Sequence, residues 1–456
     1  MKNKEFFWDT NIQIETEYAK HSMEEVDDWI ENANRKAEVT LNKITLSECT
    51  PWFYDRECGE IRNEKSSFFQ IAGLQQIQDG KVCCEQPIII QNEIGFLGIL
   101  CCKIEGVWHY LMQAKIEPGN VNVVQISPTI QATKSNFEQK HGGKVPPFLD
   151  YFLNMNPKDI LVDQLQSEQS SRFWGKRNRN VILMLPNEID ETDNHRWLTL
   201  RQIKKLMKRD NLINMDTRTV LSCIPYVLLG QEGDVPFKNK PYFHTTAWNL
   251  NRKTIVELYK YINDYKMFQK KQIQKVPLHT LENWVMEDDR VVCREAYPFQ
   301  VIFCNINIKG REVQQWRQPL LEAKGHALFG LFCCDANGVL EFLIRPRAEM
   351  GCMDGMELGP TVQMEEGEKP QNDVEQFFMQ KLSKRERIVA DIMLSEEGGR
   401  FYQEQNRNAI IMIEKDEIAK MPNGYVWSDY GTLNMLTQIN NCLNIQLRNL
   451  LSILEL

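Results

Sequence analysis

The sequence predicts an α/β (α+β) protein in which one module is written twice, each copy a mixed sheet flanked by helices. Three observations predict it. Gln86-Pro87-Ile88-Ile89 recurs as Gln318-Pro319-Leu320-Leu321, an offset of 232 positions that holds without a gap to Thr129-Ile130-Gln131 against Thr361-Val362-Gln363. Short apolar runs with strand-like alternation stand between stretches of helical spacing in both copies. A content of 42% hydrophobic and 25% charged residues fits an ordinary globular chain with no long disordered block.

Taken in order, each copy opens on a helix: Glu24–Lys36 falls near Ile255–Met267, where apolar residues recur at helical spacing. Strands follow, including Ile94–Cys102, Val107–Glu117 and Val181–Leu185, with glycines punctuating the turns between them. Downstream, Ser167-Glu168-Gln169-Ser170-Ser171-Arg172-Phe173-Trp174 matches Ser395-Glu396-Glu397-Gly398-Gly399-Arg400-Phe401-Tyr402, and Asn178-Arg179-Asn180 matches Asn406-Arg407-Asn408. The copies close alike on helical segments, Trp197, Asn211, Asn214 and Arg218 meeting Trp427, Asn441, Asn444 and Arg448. This places a first repeat at 1–228 and a second at 251–456. The linker is 229–250, where Gly230–Lys240 is rich in Gly, Pro, Asp and Lys. Two repeats are too few for a solenoid, so two similar domains about a pseudo-twofold are expected.

Composition excludes several classes. A formal charge of −8 argues against gripping a nucleic-acid backbone. The N-terminal Met1–Asp9 meets acid before any apolar run, unlike a secretory signal, and no stretch approaches the apolar length of a membrane span. Thirteen cysteines, three adjacent pairs among them and no CxxC, read as thiols of a reducing cytoplasm. No Walker loop, GxGxxG, GxSxG or metal-type His/Cys cluster is present, which leaves hydride transfer and serine hydrolysis without their usual signatures.

Candidate chemistry gathers in four tracts. Alternation along Val107–Glu117 puts Trp108, Tyr110, Met112, Ala114 and Ile116 on one face and Gln113, Lys115 and Glu117 on the other. Its counterpart carries Arg345, Arg347 and Glu349. A cation and a carboxylate two residues apart on one strand face are placed either to reach one substrate or to form a solvated ion pair. Thr129 with Gln131, repeated as Thr361 with Gln363, sets a hydroxyl and an amide together, or closes a turn on its own backbone. Lys176-Arg177-Asn178-Arg179-Asn180, after Arg172, is the densest basic spot of copy one. It suits a diphosphate, which guanidinium groups bind bidentately, or else is an exposed basic turn. In copy two the same stretch is Gln403-Glu404-Gln405-Asn406-Arg407, with fewer cations. His141, in Lys140-His141-Gly142-Gly143, is either a proton carrier or a surface loop residue.

Together these motifs resemble the NDP-hexose 2,3-dehydratases. The resemblance rests on Gln113-Ala114-Lys115-Ile116-Glu117-Pro118-Gly119, Pro128–Thr133 with Ser135-Asn136, Gln166–Gln169 running into Arg172-Phe173, Lys176–Asn180, and Asn214–Ser222. It spans nearly the full chain and implies a pair of Nudix-like domains in a homodimer, with no metal or organic cofactor. The substrate it implies is a dTDP-linked 4-keto-6-deoxyhexose of deoxysugar biosynthesis, and the product passes to a 3-ketoreductase. The Nudix metal box is missing here, which disfavours pyrophosphate hydrolysis. A non-catalytic nucleotide-sugar binding protein of the same fold is the alternative.

For the reaction so implied, a ketone at C4 acidifies the C3 proton, a base removes it, and the C2 hydroxyl leaves from the enolate as water. The enol then tautomerises to a 3,4-diketo-2,6-dideoxy sugar. A base, an electrophile at the C4 oxygen and an acid are needed. The expected base is Glu117 or His141, with Lys115, Gln131 and Thr129 beside the ketone. Arg172, Arg177 and Arg179 are expected at the diphosphate, Trp174 either on the thymine or in the core, and Lys176, Gln113 and Arg218 within the binding site. A second-copy site would use Arg345, Arg347, Glu349, Thr361, Gln363, Arg400 and Arg407. Copy one is expected to do the chemistry.

Overall fold

A computed structural model describes residues 18–65, 68–133, 145–226, 252–310 and 313–454. The expected linker 229–250 and His141 lie outside these residues. The chain opens on the helix Met23–Lys36, started by a capping box in which Ser22 Oγ accepts from the Glu25 amide at 3.1 Å and Glu25 Oε2 accepts from the Ser22 amide at 2.8 Å. Helical spacing brings Val26, Trp29 and Ile30 onto one buried face, each contributing about 1.5–3 kcal/mol on burial. Its counterpart is Arg252–Phe268. No helix of the described residues is long and apolar enough to cross a membrane.

Strands dominate, and among the described residues they form four sheets, two of which each lie within one copy. In the first copy a seven-stranded mixed sheet runs Ile160–Ser167, Arg177–Met184, Gly95–Ile104, Val107–Ile116, His195–Thr199, with Val124–Ser127 paired to Val107–Ile116 and Ile130–Ala132 to Gly95–Ile104. Its face of Trp108, Tyr110, Met112, Ala114 and Ile116 packs on the leading helix and the closing helices Leu200–Met207 and Met215–Ser222, as alternation predicts. The second copy repeats the sheet with Leu328–Asp335 and Leu340–Arg347 at its centre. All thirteen cysteines are free thiols.

The other two sheets are not confined to one copy. Val39–Ile44 of the first copy pairs antiparallel with Phe299–Ile308 of the second, Val39 opposite Ile308 and Ile44 opposite Phe303. Reciprocally, Gln272–Val276 of the second copy pairs with Gln70–Gln78 of the first, Gln272 opposite Ile77 and Val276 opposite Gly73. A shared core lies behind this exchange, mixing Trp52, Phe69 and Phe173 with Trp284, Phe299 and Phe401. Across it the Trp52 indole donates to the Arg317 carbonyl at 2.8 Å and the Trp284 indole to that of Glu85 at 3.2 Å.

The helices Met215–Ser222 and Ile445–Ser452 pack together and carry two buried arginines. Arg218 donates to the carbonyls of Ile213 (2.5 Å) and Ser395 (2.7 Å), and Arg448 to those of Leu443 (2.5 Å) and Ser167 (2.5 Å). Each guanidinium therefore ties its own helix to the other copy's loop. The expected substrate contact at Arg218 is replaced by this role, because a fully buried cation must spend its donors on fixed acceptors.

The exchange predicts that residues 1–228 and 251–456 expressed apart will each lack a strand and half a core. Both should show disordered circular dichroism and sedimentation, and co-expression should restore a folded one-to-one complex. Cooperative unfolding by either half alone would contradict this.

Candidate functional site

A cleft of about 1140 Å³ opens between the first copy's mixed sheet and the second copy. Strand alternation places Lys115, at the end of Val107–Ile116, and Glu117, just beyond it, on its wall. Glu117 Oε1 accepts from Lys115 Nζ at 3.1 Å and from Gln131 Nε2 at 3.2 Å. Asn214, N-cap of the helix Met215–Ser222, donates through Nδ2 to Gln131 Oε1 at 3.4 Å. That bond sets which way the Gln131 amide faces, so its NH₂ is the end turned to Glu117.

Around this pair stand three more carboxyls. Asp216, in the first turn of the helix, is 2% exposed, and burial followed by repulsion from Glu168, Glu397 and Glu117 raises it well above the usual carboxylate range. Glu168 Oε2 accepts from Asn178 Nδ2 at 2.6 Å, and burial raises this carboxyl against the pull of Lys176. Lys176 donates to the Glu93 carbonyl at 2.5 Å and is pushed down to about 8, chiefly by burial and against the attraction of Glu168. Glu397 comes from the second copy and is pushed up to about 8 by burial and by Glu117. Arg400, also from the second copy, reaches Gln91 Oε1 at 3.3 Å and lies 4.3 Å over the Phe69 ring. The cleft thus mixes cations and carboxyls too deeply buried for all to be charged at once. Its lining also includes Trp52, Phe68, Trp316, Lys65 and Arg317, with Asn305, whose buried Oδ1 has no partner among the described residues.

Residues 397–403 reach the first copy through Gly119. Gly119 donates to the Gly398 carbonyl at 2.7 Å, and its own carbonyl accepts from the Gln403 amide at 2.8 Å. A Cβ at Gly119 would overlap the Phe401 carbonyl oxygen, so only glycine admits this approach. Gly351 receives residues 170–175 in the same way, with Gly175 donating to Gly351 and Gly351 to Ser170, each at 2.8 Å.

The remaining sequence-predicted residues fall elsewhere. The basic tract does not end where a strand begins. It belongs to the strand Arg177–Met184, so alternation turns Lys176 and Asn178 to the cleft and Arg177 and Arg179 away from it. Arg179 is held by Asp163 in a bidentate pair at 2.7 and 2.6 Å, as Arg407 is by Asp391 at 2.7 and 2.8 Å. Arg172 crosses to the second copy, pairing with Glu365 at 3.0 Å and lying 4.4 Å from the Phe299 ring centroid. Trp174 packs with Leu74, Ile88 and Met350. Thr129 is consumed by the backbone, donating to the Leu111 carbonyl at 2.5 Å and accepting from the Leu100 amide at 2.9 Å, and Thr361 does the same with Leu343 and Phe332. Gln113 lies further along its strand, where Ser127 Oγ donates to its Oε1 at 3.4 Å.

The second copy repeats the relay and the Asn178–Glu168 bond, which recurs as Asn406 Nδ2 donating to Glu396 Oε1 at 2.8 Å. Asn444 donates to Gln363 Oε1 at 3.0 Å, and Gln363 Nε2 to Glu349 Oε1 at 2.6 Å. Arg347 donates to the Gln363 carbonyl at 2.9 Å, and Arg345 is engaged by Glu375 at 2.7 Å and Tyr425 at 2.8 Å. Because the loops cross, Arg400 belongs to the first copy's cleft, not to a second-copy site.

Sequence reasoning assigned no role to Asp216, Glu168, Glu397, Asn178 or Arg317. A usable signal existed for two of them. At the duplicated positions Asp216 is matched by Gln446 and Glu397 by Gln169, acids kept in one copy only.

A model of the NDP-hexose 2,3-dehydratase family matches residues 23–224 and again 255–454. The chain is 37% identical to the dTDP-4-dehydro-6-deoxy-alpha-D-glucopyranose 2,3-dehydratase of Saccharopolyspora spinosa, over 94% of this chain and 90% of that one. Proteins of the same name from Streptomyces violaceoruber and Amycolatopsis orientalis are 34% and 32% identical, covering 93% and 94% of this chain and 95% and 89% of theirs. The chain belongs to the NDP-hexose 2,3-dehydratase family.

Proposed function

We propose that the cleft removes water across C2 and C3 of a dTDP-linked 4-keto-6-deoxyhexose. The observation that carries this is the Glu117 carboxylate, fixed by Lys115 and by the Asn214–Gln131 relay, in a cleft roomy enough for a nucleotide-linked sugar. Glu117 takes the C3 proton. Lys115, within reach of the same oxygen, stabilises the negative charge that develops on the C4 oxygen. Beside an existing carbonyl the carbanion is an enolate, so the neighbouring C2 hydroxyl departs without any change of oxidation state at the protein. The lining aromatics Trp52, Phe68 and Trp316 take the base, and the lining cations Lys65 and Arg317 the diphosphate.

In this reading the two copies are Nudix-like domains, the working unit is a cytoplasmic homodimer, and the diketo product passes to a 3-ketoreductase. The experiment is incubation with dTDP-4-keto-6-deoxyglucose followed by mass spectrometry. A product lighter by one water is expected. Recovery of unchanged substrate from a protein that binds it would instead favour a non-catalytic binding role.

A further inference from the structure

We propose that Glu397, carried into the first copy's cleft by the second copy, is the general acid that protonates the departing C2 hydroxyl. The inference rests on the dehydratase reading above and adds the origin of the acid.

Three structural facts carry it. Glu397 lines the cleft that holds Lys115 and Glu117, although it lies in the other copy. Its position is imposed by backbone: the Gly398 and Gln403 bonds to Gly119 lock the loop on both sides, and Glu397 Oε1 accepts from the Gly399 amide at 2.9 Å. The equivalent loop of the first copy reaches the second copy's cluster through Gly351, but brings Gln169 there, an amide that cannot transfer a proton in this way. The Asn–Gln–Glu relay is present in both clusters, so it does not by itself distinguish them. The cross-delivered carboxyl does. Burial near Glu117 also raises the Glu397 carboxyl to about 8, toward the protonated form an acid requires.

The step balances. Glu117 takes H⁺ from C3, and the C3–H electron pair becomes the C3–C4 enolate π bond. That pair then forms the C2–C3 π bond as the C2–O bond breaks and the C4 carbonyl reforms. The Glu397 O–H proton goes to the departing oxygen, which leaves as water. Glu397 remains as carboxylate and Glu117 as carboxylic acid, and both are reset by proton exchange with solvent.

The test separates the two proton transfers. In deuterated water the wild type and Glu397→Gln are both given dTDP-4-keto-6-deoxyglucose, and deuterium at C3 of recovered substrate and loss of water are followed together. Glu397→Gln is expected to dehydrate at least about 100-fold more slowly while C3 exchange stays within about threefold of wild type. Dehydration by Glu397→Gln within about threefold of wild type would overturn the proposal, as would loss of exchange and dehydration together with dTDP binding intact. If dTDP binding is lost, Glu397→Asp decides, because it keeps the acid. Retained exchange with slowed dehydration supports the role, and parallel loss of both refutes it. A wild type that neither exchanges C3 nor loses water would refute the dehydratase reading itself, a distinct outcome.

Discussion

Glu117→Gln is expected to lower turnover by about 10³-fold, with dTDP affinity unchanged, because general-base catalysis contributes about 10² to 10⁴ and an amide cannot supply it. The substitution conserves shape. The carbonyl of Gln still accepts from Lys115 and Gln131, so the local hydrogen bonds at 3.1 and 3.2 Å need not be lost. What is lost is the negative charge that balances Lys115 and the lone pair that takes the C3 proton. Steady-state kinetics beside calorimetric dTDP binding checks this. A variant that turns over within about tenfold of wild type would remove Glu117 from the role and leave His141, the other base expected from sequence, as the candidate to test.

Gly119→Ala is expected to damage the same reaction from a distance. The added methyl overlaps the Phe401 carbonyl oxygen, a backbone atom that no rotamer change can move aside. Residues 397–403 must then retreat, taking Glu397 and Arg400 out of the cleft. Overpacking of this kind costs about 1–3 kcal/mol of stability. Turnover should fall further than stability implies, by more than about tenfold even where the protein is fully folded. Gly351→Ala is the control, since it makes the symmetric overlap with the Phe173 carbonyl but leaves Glu397 and Arg400 in place. Denaturant unfolding should show similar losses for the two variants while activity separates them. Equal activity losses would mean that the loops serve stability alone.

Much of the site was legible in the strand Val107–Ile116. Period-two alternation put Lys115 and Glu117 on one face, and the structure brings them together with Gln131 and Lys176. The same rule, had the strand been started at Arg177 rather than Val181, would have separated Lys176 and Asn178 from Arg177 and Arg179. A charged residue at a strand start looks like a loop because composition, not backbone pairing, is what a sequence displays. Thr129 illustrates a different failure. Its repetition as Thr361 marked a requirement, but the requirement was two backbone bonds inside the fold, which duplication preserves as faithfully as a catalytic role.

Glu397 and Arg400 were visible as residues and misplaced as neighbours. Matching the two copies shows which positions correspond, yet corresponding residues of intertwined copies serve opposite clefts. The comparison of copies in isolation made the first copy cationic through Lys176 and Arg177. In the folded chain the first copy's cleft instead depends on a carboxyl and a guanidinium from the second.

By itself the sequence determined that one module is present twice, that each copy opens and closes on helical segments around apolar strands, and that Lys115 and Glu117 share a face, because apolar periodicity and the repeat offset are local properties of the chain. Only the tertiary structure decided which copy completes which. Strand addition uses main-chain bonds that any side chain allows, so nothing in Val39–Ile44 or Gln272–Val276 names its partner. That choice is made by the shared core of Trp52, Phe69, Phe173, Trp284, Phe299 and Phe401, and by the bare backbones of Gly119 and Gly351.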